Sequence, residues 1–155
     1  MNANEMAALL KEQFGDKILE SKLDVLCPWS VVVPGAIVEV CRFLRSDERF
    51  LMDHLELLAG VDFKDRIEVV YVLYSMRHRH RFILKCRLSR ESPKIDTVES
   101  VWGVANWHER EAYDMFGIVF EGHSDLRRIL CPDDWEGHPL RKDYVFPKSY
   151  REMPV

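Results

Sequence analysis

Cysteine pairs with metal-ligand spacing are absent from this sequence. The four cysteines, at positions 27, 41, 86 and 131, form no CxxC pair and no compact group of ligands. Free cysteines most often pack in protein cores, so buried thiols are expected here. The first residues also show no basic segment followed by an apolar one, so we expect no export signal and a reducing compartment.

Long apolar runs and an excess of basic charge are missing as well. The run of residues 29–35 is interrupted by Ser30 and Pro34 and falls far short of the roughly 20 residues that span a bilayer. Lysine and arginine total 22 against 26 acidic residues, which gives a net charge of −4. We therefore expect neither a transmembrane segment nor a nucleic-acid partner.

The apolar content of the chain is sufficient for one ordinary core. The length is 155 residues and 47% of them are hydrophobic, which fits a single domain with an appended segment. Apolar residues at helical spacing predict three helices, at residues 6–14, 37–44 and 96–116. The third is expected to be kinked, to begin with capping boxes at Asp96–Glu99 and Asn106–Glu109, and to end at Gly117 in the left-handed conformation.

Five strands are predicted between these helices. The first two are expected to form a hairpin around Cys27 and Pro28, and the fourth is apolar on both faces and should lie inside the sheet. The predicted strands are residues 17–25, 29–33, 51–61, 66–76 and 80–88. The fold class is therefore α+β, with a mixed or antiparallel sheet of about five strands and helices packed on it.

The last part of the chain, residues 123–155, is predicted to be an extended, irregular tail after an α+β domain of residues 1–122. Four prolines interrupt it, and no periodic element longer than one turn fits. Its many aromatic and aliphatic residues nevertheless favour burial, so it is not disordered in composition. Such a segment is suited to lie on another protein.

Charged residues are concentrated in residues 106–130, NWHEREAYDMFGIVFEGHSDLRRIL. A zinc site of the metalloprotease kind is excluded because Ala112 stands where the second histidine is required. Metal binding would need His123 or His138 to join Glu109 or Glu111 in space, and hydrogen bonding is the more common role of such histidines.

Two further kinds of site can be weighed on the same segment. Glu109, Glu111 and Asp114 offer carboxylates for acid–base chemistry, but residues two apart on a helix do not face each other. The spacing instead favours an ion pair between Arg110 and Asp114, with the acids offered outward. Arg127 and Arg128 have no phosphate-binding glycine loop before them, which favours a network with Asp125 and the other acids that orders the loop or a partner.

The segment NWHEREAYDMFGIVFEGHSDLRRILCPDDWEGHPLRKDY closely resembles the signature of a known family. The family is the thirty-kilodalton subunit of the proton-pumping NADH:quinone oxidoreductase, respiratory complex I. The resemblance extends nearly without interruption from Asn106 to Tyr144. Ser124 departs from it, because the family usually has proline there, and a more flexible turn is expected at that position.

The resemblance implies a cofactor-free subunit of the hydrophilic arm that packs against the large quinone-site subunit and neighbouring iron–sulfur subunits. NADH, flavin, iron–sulfur clusters and quinone would be bound by those partners. The chain would be a free-standing, non-catalytic subunit on the cytoplasmic side of the cell membrane, or on the matrix side of the mitochondrial inner membrane. The alternative is the equivalent subunit of a related membrane-bound hydrogenase or of a dehydrogenase that uses another donor.

On this interpretation the charged segment is an interface rather than an active site. Replacing Asp114 or Arg127 by alanine is then expected to reduce assembly more than it disturbs the fold. No catalytic, cofactor-binding or metal-ligating residue is predicted. The predicted interface residues are Glu109, Arg110, Glu111, Asp114, Phe116, His123, Asp125, Arg127, Arg128, Trp135, Arg141 and Lys142.

Overall fold

A computed structural model describes residues 2–154 and contains the α+β fold expected from the sequence. The helices are α1 (Ala3–Phe14), α2 (Ile37–Ser46) and α3 (Ala105–Phe116). The strands are β1 (Ile18–Lys22), β2 (Trp29–Val32), β3 (His54–Asp62), β4 (Arg66–Ser75), β5 (His80–Ser89), β6 (Lys94–Asp96), β7 (Val119–Glu121), β8 (Ser149–Tyr150) and β9 (Met153–Pro154).

Five of these strands form one mixed sheet in the order β1-β2-β5-β4-β3. Strands β1 and β2 pair antiparallel, which confirms the predicted hairpin, and β4 lies inside the sheet between β5 and β3. The one parallel pair of this sheet joins β2 to β5. Strands β6 and β7 form a separate parallel pair on either side of α3 in the sequence, and β8 pairs with β9.

The hydrophobic core lies between the helices and one face of the large sheet. Alternate residues of β4 and β5, such as Tyr71 and Leu84, are fully buried on that face. They belong to the same apolar cluster as Leu10 of α1 and Leu44 of α2. Cys41 and Cys86 are buried in this cluster, as expected for free thiols, whereas Cys27 is exposed and Cys131 is partly buried.

The opposite face of the sheet carries no helix and is covered by its own charged side chains. Arg81 on β5 reaches across β4 to Glu56 on β3, with a nitrogen–oxygen distance of 2.6 Å. Arg87 on β5 reaches across β2 to Glu20 on β1, at 2.7 Å. Val31 on β2 is consequently fully buried, although it faces away from the helical layer.

The prediction of the third helix is wrong for residues 96–104, because α3 begins only at Ala105. Residues 94–96 instead form β6, and a turn follows in which the Trp102 indole donates to the Met52 carbonyl oxygen at 3.1 Å. Neither predicted capping box forms. Helix α3 ends where expected, at Gly117 in the left-handed conformation with φ 73°.

Glycine at position 60 allows α3 to pack closely on β3. A Cβ atom at this position would lie 2.7 Å from the Phe116 ring and 3.0 Å from Ile118. Such distances are too short for carbon atoms, so a larger residue must displace the Phe116 and Ile118 side chains.

We therefore expect Gly60→Ala to lower the free energy of unfolding by about 1 to 3 kcal/mol, because the core would be overpacked. Urea denaturation of the purified chain measures this effect. Gly35→Ala is a suitable control, since nothing lies within 4 Å of a Cβ atom there. Equal denaturation midpoints for the two variants would contradict the close packing.

Candidate partner interface

Asp114 of α3 organises the loop that follows β7. Its carboxylate is fully buried and accepts hydrogen bonds from the backbone amides of residues 129, 130 and 131 at 3.0, 2.7 and 2.9 Å. The Arg128 guanidinium donates to the other carboxylate oxygen at 2.6 Å. Burial opposes ionisation of this carboxyl, but the donated hydrogen bonds outweigh that cost and lower the pKa of Asp114.

The same loop and the segment after it also complete the C-terminal end of α3. The last carbonyl groups of a helix have no partner within it. Here the Asp114 carbonyl accepts from Arg128 at 3.2 Å, the Met115 carbonyl from the Leu140 amide at 3.1 Å, and the Phe116 carbonyl from Arg141 at 2.7 Å. Two arginines therefore stand where the helix dipole is negative, which is favourable.

A second buried carboxylate, Asp62 at the end of β3, holds the chain further along. It accepts the backbone amides of Lys64 and Lys142, each at 2.8 Å, and the guanidinium of Arg90. Arg90 also pairs with Asp143 at 2.6 Å. Burial opposes ionisation of Asp62, yet these donors lower its pKa. Residues 126–144 are thus fastened to the α+β domain at both of their ends.

Glu109 faces the opposite side of α3 and fixes the turn before the helix. Its fully buried carboxyl accepts from the Thr97 hydroxyl at 2.5 Å and from the Val98 amide at 2.8 Å. Burial raises the pKa of Glu109 to about 7, because these two donors only partly replace the lost hydration.

His123 lies next to Glu109 but does not form an ion pair with it. The Asp125 amide donates to Nδ1 at 2.9 Å, so Nδ1 carries no proton. The other nitrogen, Nε2, therefore carries the hydrogen and donates to the Asn106 carbonyl oxygen at 3.1 Å. The separation of 3.9 Å between Nε2 and the Glu109 carboxyl is then a contact between a neutral imidazole and a buried carboxyl.

Ser124 is held more firmly than the sequence suggested. Its amide and its hydroxyl both donate to the Glu99 carboxylate, at 3.1 and 2.7 Å, and the Asn106 side chain donates to the same carboxylate at 2.8 Å. The bond from Asn106 and the two from Ser124 lower the pKa of Glu99 to about 2. These hydrogen bonds oppose the flexibility that was expected of this turn.

The predicted interface residues fall into three groups by exposure. Buried within the chain are Glu109, Arg110 and Asp114. Partly buried are Phe116, His123, Arg128, Trp135 and Arg141. Exposed are Glu111, Asp125, Arg127 and Lys142.

More charged side chains of this segment are buried or paired within the chain than the sequence predicted. The predicted ion pair of Arg110 with Asp114 is replaced by that of Arg128 with Asp114, because the loop brings Arg128 onto the helix. Arg127 pairs with Asp125 at 2.9 Å on the surface, as the predicted loop network requires. The buried position of Glu109 gives it no access to a substrate, which argues against an acid–base pair with Glu111.

Sequence reasoning missed Trp107 as a candidate contact residue. Its side chain is 62% exposed, and the Arg110 guanidinium lies over the ring at 4.6 Å from the centroid. The available signal was its position outside the inward-facing apolar stripe of the helix. Asp62 and Glu99 were also missed, since their partners lie 80 and 25 positions away in the chain.

No group of three or more histidine, cysteine, aspartate or glutamate side chains in residues 2–154 is arranged to hold a metal ion. Over the same residues, no helix is both long and apolar enough to cross a membrane.

Comparison with known proteins identifies the family. The family described as "Respiratory-chain NADH dehydrogenase, 30 Kd subunit" matches residues 30–150. The chain therefore belongs to this family, as the resemblance in residues 106–144 predicted.

Two curated relatives show how far the similarity extends. The NADH-quinone oxidoreductase C subunit of Chloroherpeton thalassium is 46% identical over 98% of this chain, which spans 65% of that relative. The corresponding protein of Chlorobium phaeobacteroides is 40% identical, and the match covers 95% of this chain and 91% of the relative. The chain thus spans about two thirds of one relative and nearly all of the other.

Solved structures share the fold. A trypsin-resistant fragment of Nqo5 is 29% identical, with a TM-score of 0.64, over 78% of this chain and 98% of the fragment. A chain of the membrane-bound sulfane sulfur reductase, an archaeal respiratory membrane complex, is 23% identical with a TM-score of 0.73. That match covers 92% of this chain and 85% of the other, and it shows a common fold.

The contacts of Asp114 within the chain change the expected effect of replacing it from reduced assembly to reduced stability. Because it holds the loop within the chain, Asp114→Asn should lower the free energy of unfolding by roughly 3 to 5 kcal/mol, by stranding Arg128 and placing amide hydrogens against backbone donors. Asp125→Asn, which weakens only an exposed pair, should cost less than about 1 kcal/mol. Denaturation gives the energies, and hydrogen exchange should show lost protection at residues 129–131. Unchanged protection there would contradict the anchoring role.

The raised pKa of Glu109 predicts a pH dependence of stability. Its folded-state pKa of about 7 lies above the ordinary 4.5, so the folded chain binds this proton more tightly than the unfolded chain. Its contribution is present below about pH 4.5 and is lost as the pH rises to about 7, by up to about 3 kcal/mol. Glu109→Gln, which cannot ionise, should flatten this part of the stability profile. An unchanged slope between these pH values would show that Glu109 titrates normally.

Proposed function

We propose that this chain is a subunit of the hydrophilic arm of a proton-pumping NADH:quinone oxidoreductase. Membership of the 30 kDa subunit family supports the assignment. In this role the chain carries no cofactor and no catalytic residue, and it supports electron transfer from NADH to quinone by bracing the large quinone-site subunit. Flavin, iron–sulfur clusters and quinone are bound by the partner subunits. The chain lies peripherally on the cytoplasmic or matrix side of the membrane.

The observation that carries the bracing role is a set of exposed apolar side chains on a segment whose backbone is fixed. Asp114 and Asp62 hold residues 128–142, so these side chains are presented without the entropic cost of ordering a free tail. Apolar groups gain free energy when a partner removes them from water. The exposed residues of the held segment are Leu130 (62%) and Leu140 (53%), and Val145 (84%), Phe146 (59%) and Met153 (61%) continue the exposed apolar set beyond it.

The charged side chains that are paired within the chain also support the proposed bracing role. Glu109, Asp114 and Arg128 have partners within the chain, so they shape the surface instead of meeting substrate. A rigid scaffold with an apolar outer face is typical of a binding partner in a stable assembly. The exposed charged residues Glu111, Asp125, Arg127 and Lys142 are then placed at the polar rim of the contact.

The second candidate is the equivalent subunit of a related membrane-bound complex that uses another electron donor. The common fold with a chain of the archaeal sulfane sulfur reductase supports this candidate. The surface of this chain alone does not choose between the two, because the donor would bind to other subunits.

We expect affinity purification of the tagged chain from its own cells, in mild detergent, to recover a multisubunit assembly. Mass spectrometry should identify a flavin-binding, NADH-oxidising subunit and the large quinone-site subunit. Recovery of a large subunit with nickel-ligating cysteines instead would favour the second candidate. Purification of the chain alone, with no partner, would contradict both.

The exposed apolar residues provide the matched test of the contact. Phe146→Ser should reduce the amount of chain in the assembly on a native gel, because an apolar contact is replaced by a polar side chain. Met76→Ser is the control, since Met76 is equally exposed, at 63%, on the turn between β4 and β5. Equal losses from both substitutions would contradict the proposed surface.

A further inference from the structure

Arg110 of α3 is a nearly buried cation without an acidic partner. The residue is 6% exposed, and within residues 2–154 no carboxylate lies at ion-pair distance from its guanidinium. Its one hydrogen bond in that part of the chain is a long one, from Nε to the Arg127 carbonyl oxygen at 3.4 Å. Buried charges are normally paired, because removing them from water is costly.

Two acids of this segment are already paired with other arginines. Asp114 is paired with Arg128 at 2.6 Å, and Asp125 with Arg127 at 2.9 Å. Neither of these carboxylates is paired with Arg110. An acidic group from outside the chain would complete the cluster.

The surroundings of Arg110 fit a protein contact. The exposed ring of Trp107 lies against the guanidinium, and Nε of Arg110 donates to the Arg127 carbonyl oxygen in the segment that also carries the exposed Leu130. Tryptophan and arginine are the residues that most often supply binding energy at interfaces. The aromatic ring would exclude water from an ion pair formed there and strengthen it.

We propose that this face of α3, formed by Trp107 and Arg110, binds an aspartate or glutamate side chain of a neighbouring subunit. The carboxylate would accept from the two Nη groups of Arg110, which have no hydrogen-bond acceptor within residues 2–154, while apolar residues beside it cover Trp107. This inference rests on the proposed function, since it assigns the chemistry of the partner at one point of the docking surface.

The first experiment separates a binding role from a structural one. We expect Arg110→Gln to change the denaturation midpoint of the purified chain little, because within residues 2–154 it removes only one long hydrogen bond and one exposed ring contact. The same variant should weaken retention in the assembly, by about 30-fold or more in Kd. Arg77→Gln, which removes an exposed arginine from the turn between β4 and β5, is the control and should change neither quantity.

A second experiment identifies the acid. A photo-crosslinking amino acid at position 107, in the chain within its assembly, should label a peptide that contains aspartate or glutamate. Exchanging that acid for arginine together with Arg110→Glu should restore retention that either change alone abolishes.

Three results would overturn the inference. They are normal retention of Arg110→Gln, crosslinks only to a second copy of this chain or to lipid, or a loss of chain stability equal to the loss of retention. Failure of the proposed function looks different, because the unaltered chain would then be recovered without partner subunits.

Discussion

The C-terminal end of α3 is the constraint on which the rest of the functional surface depends. Its last carbonyl groups need donors from outside the helix, and they receive them from Arg128, Leu140 and Arg141. The Asp114 carboxylate adds three consecutive backbone amides from the loop. A segment without regular structure is thereby given the hydrogen bonds that a helix or strand would otherwise supply.

In this part of the structure some carboxylates are buried and some apolar side chains are exposed, which reverses the usual distribution. The carboxylates of Glu109, Asp114 and Asp62 are buried, whereas Val145 and Phe146 face solvent. Burying a carboxylate is tolerable only when several donors surround it, which is the case for both aspartates. The irregular segment also exposes Leu130, Leu140 and Met153, so it offers a partner apolar surface next to these buried charges.

Short-range patterns in the sequence predicted most of the fold. They failed where contacts between residues far apart in the chain determine the structure. Alternation in β4 and β5 and the apolar spacing in α1 and α2 follow from side-chain periodicity, so they could be predicted from short windows of sequence. The apolar residues of 96–104 have helical spacing, but they do not form a helix. Strand β6 pairs with β7 instead, and the Val98 amide donates a hydrogen bond to the Glu109 carboxyl. The partners of Asp62 and Asp114 lie too far along the chain for any periodic pattern to predict.

Ser124 is held in its turn by hydrogen bonds that a proline could not make. Proline would limit the backbone at this position through its ring and would have no amide hydrogen to donate. Serine leaves φ free, but its amide and hydroxyl both donate to Glu99, and Asn106 of α3 donates to that carboxylate as well. Charge-assisted hydrogen bonds to Glu99 thus link this turn to the first turn of α3. The bonds from Asn106 and Ser124 lower the pKa of Glu99 to about 2, so this carboxyl group favours the charged form that accepts them.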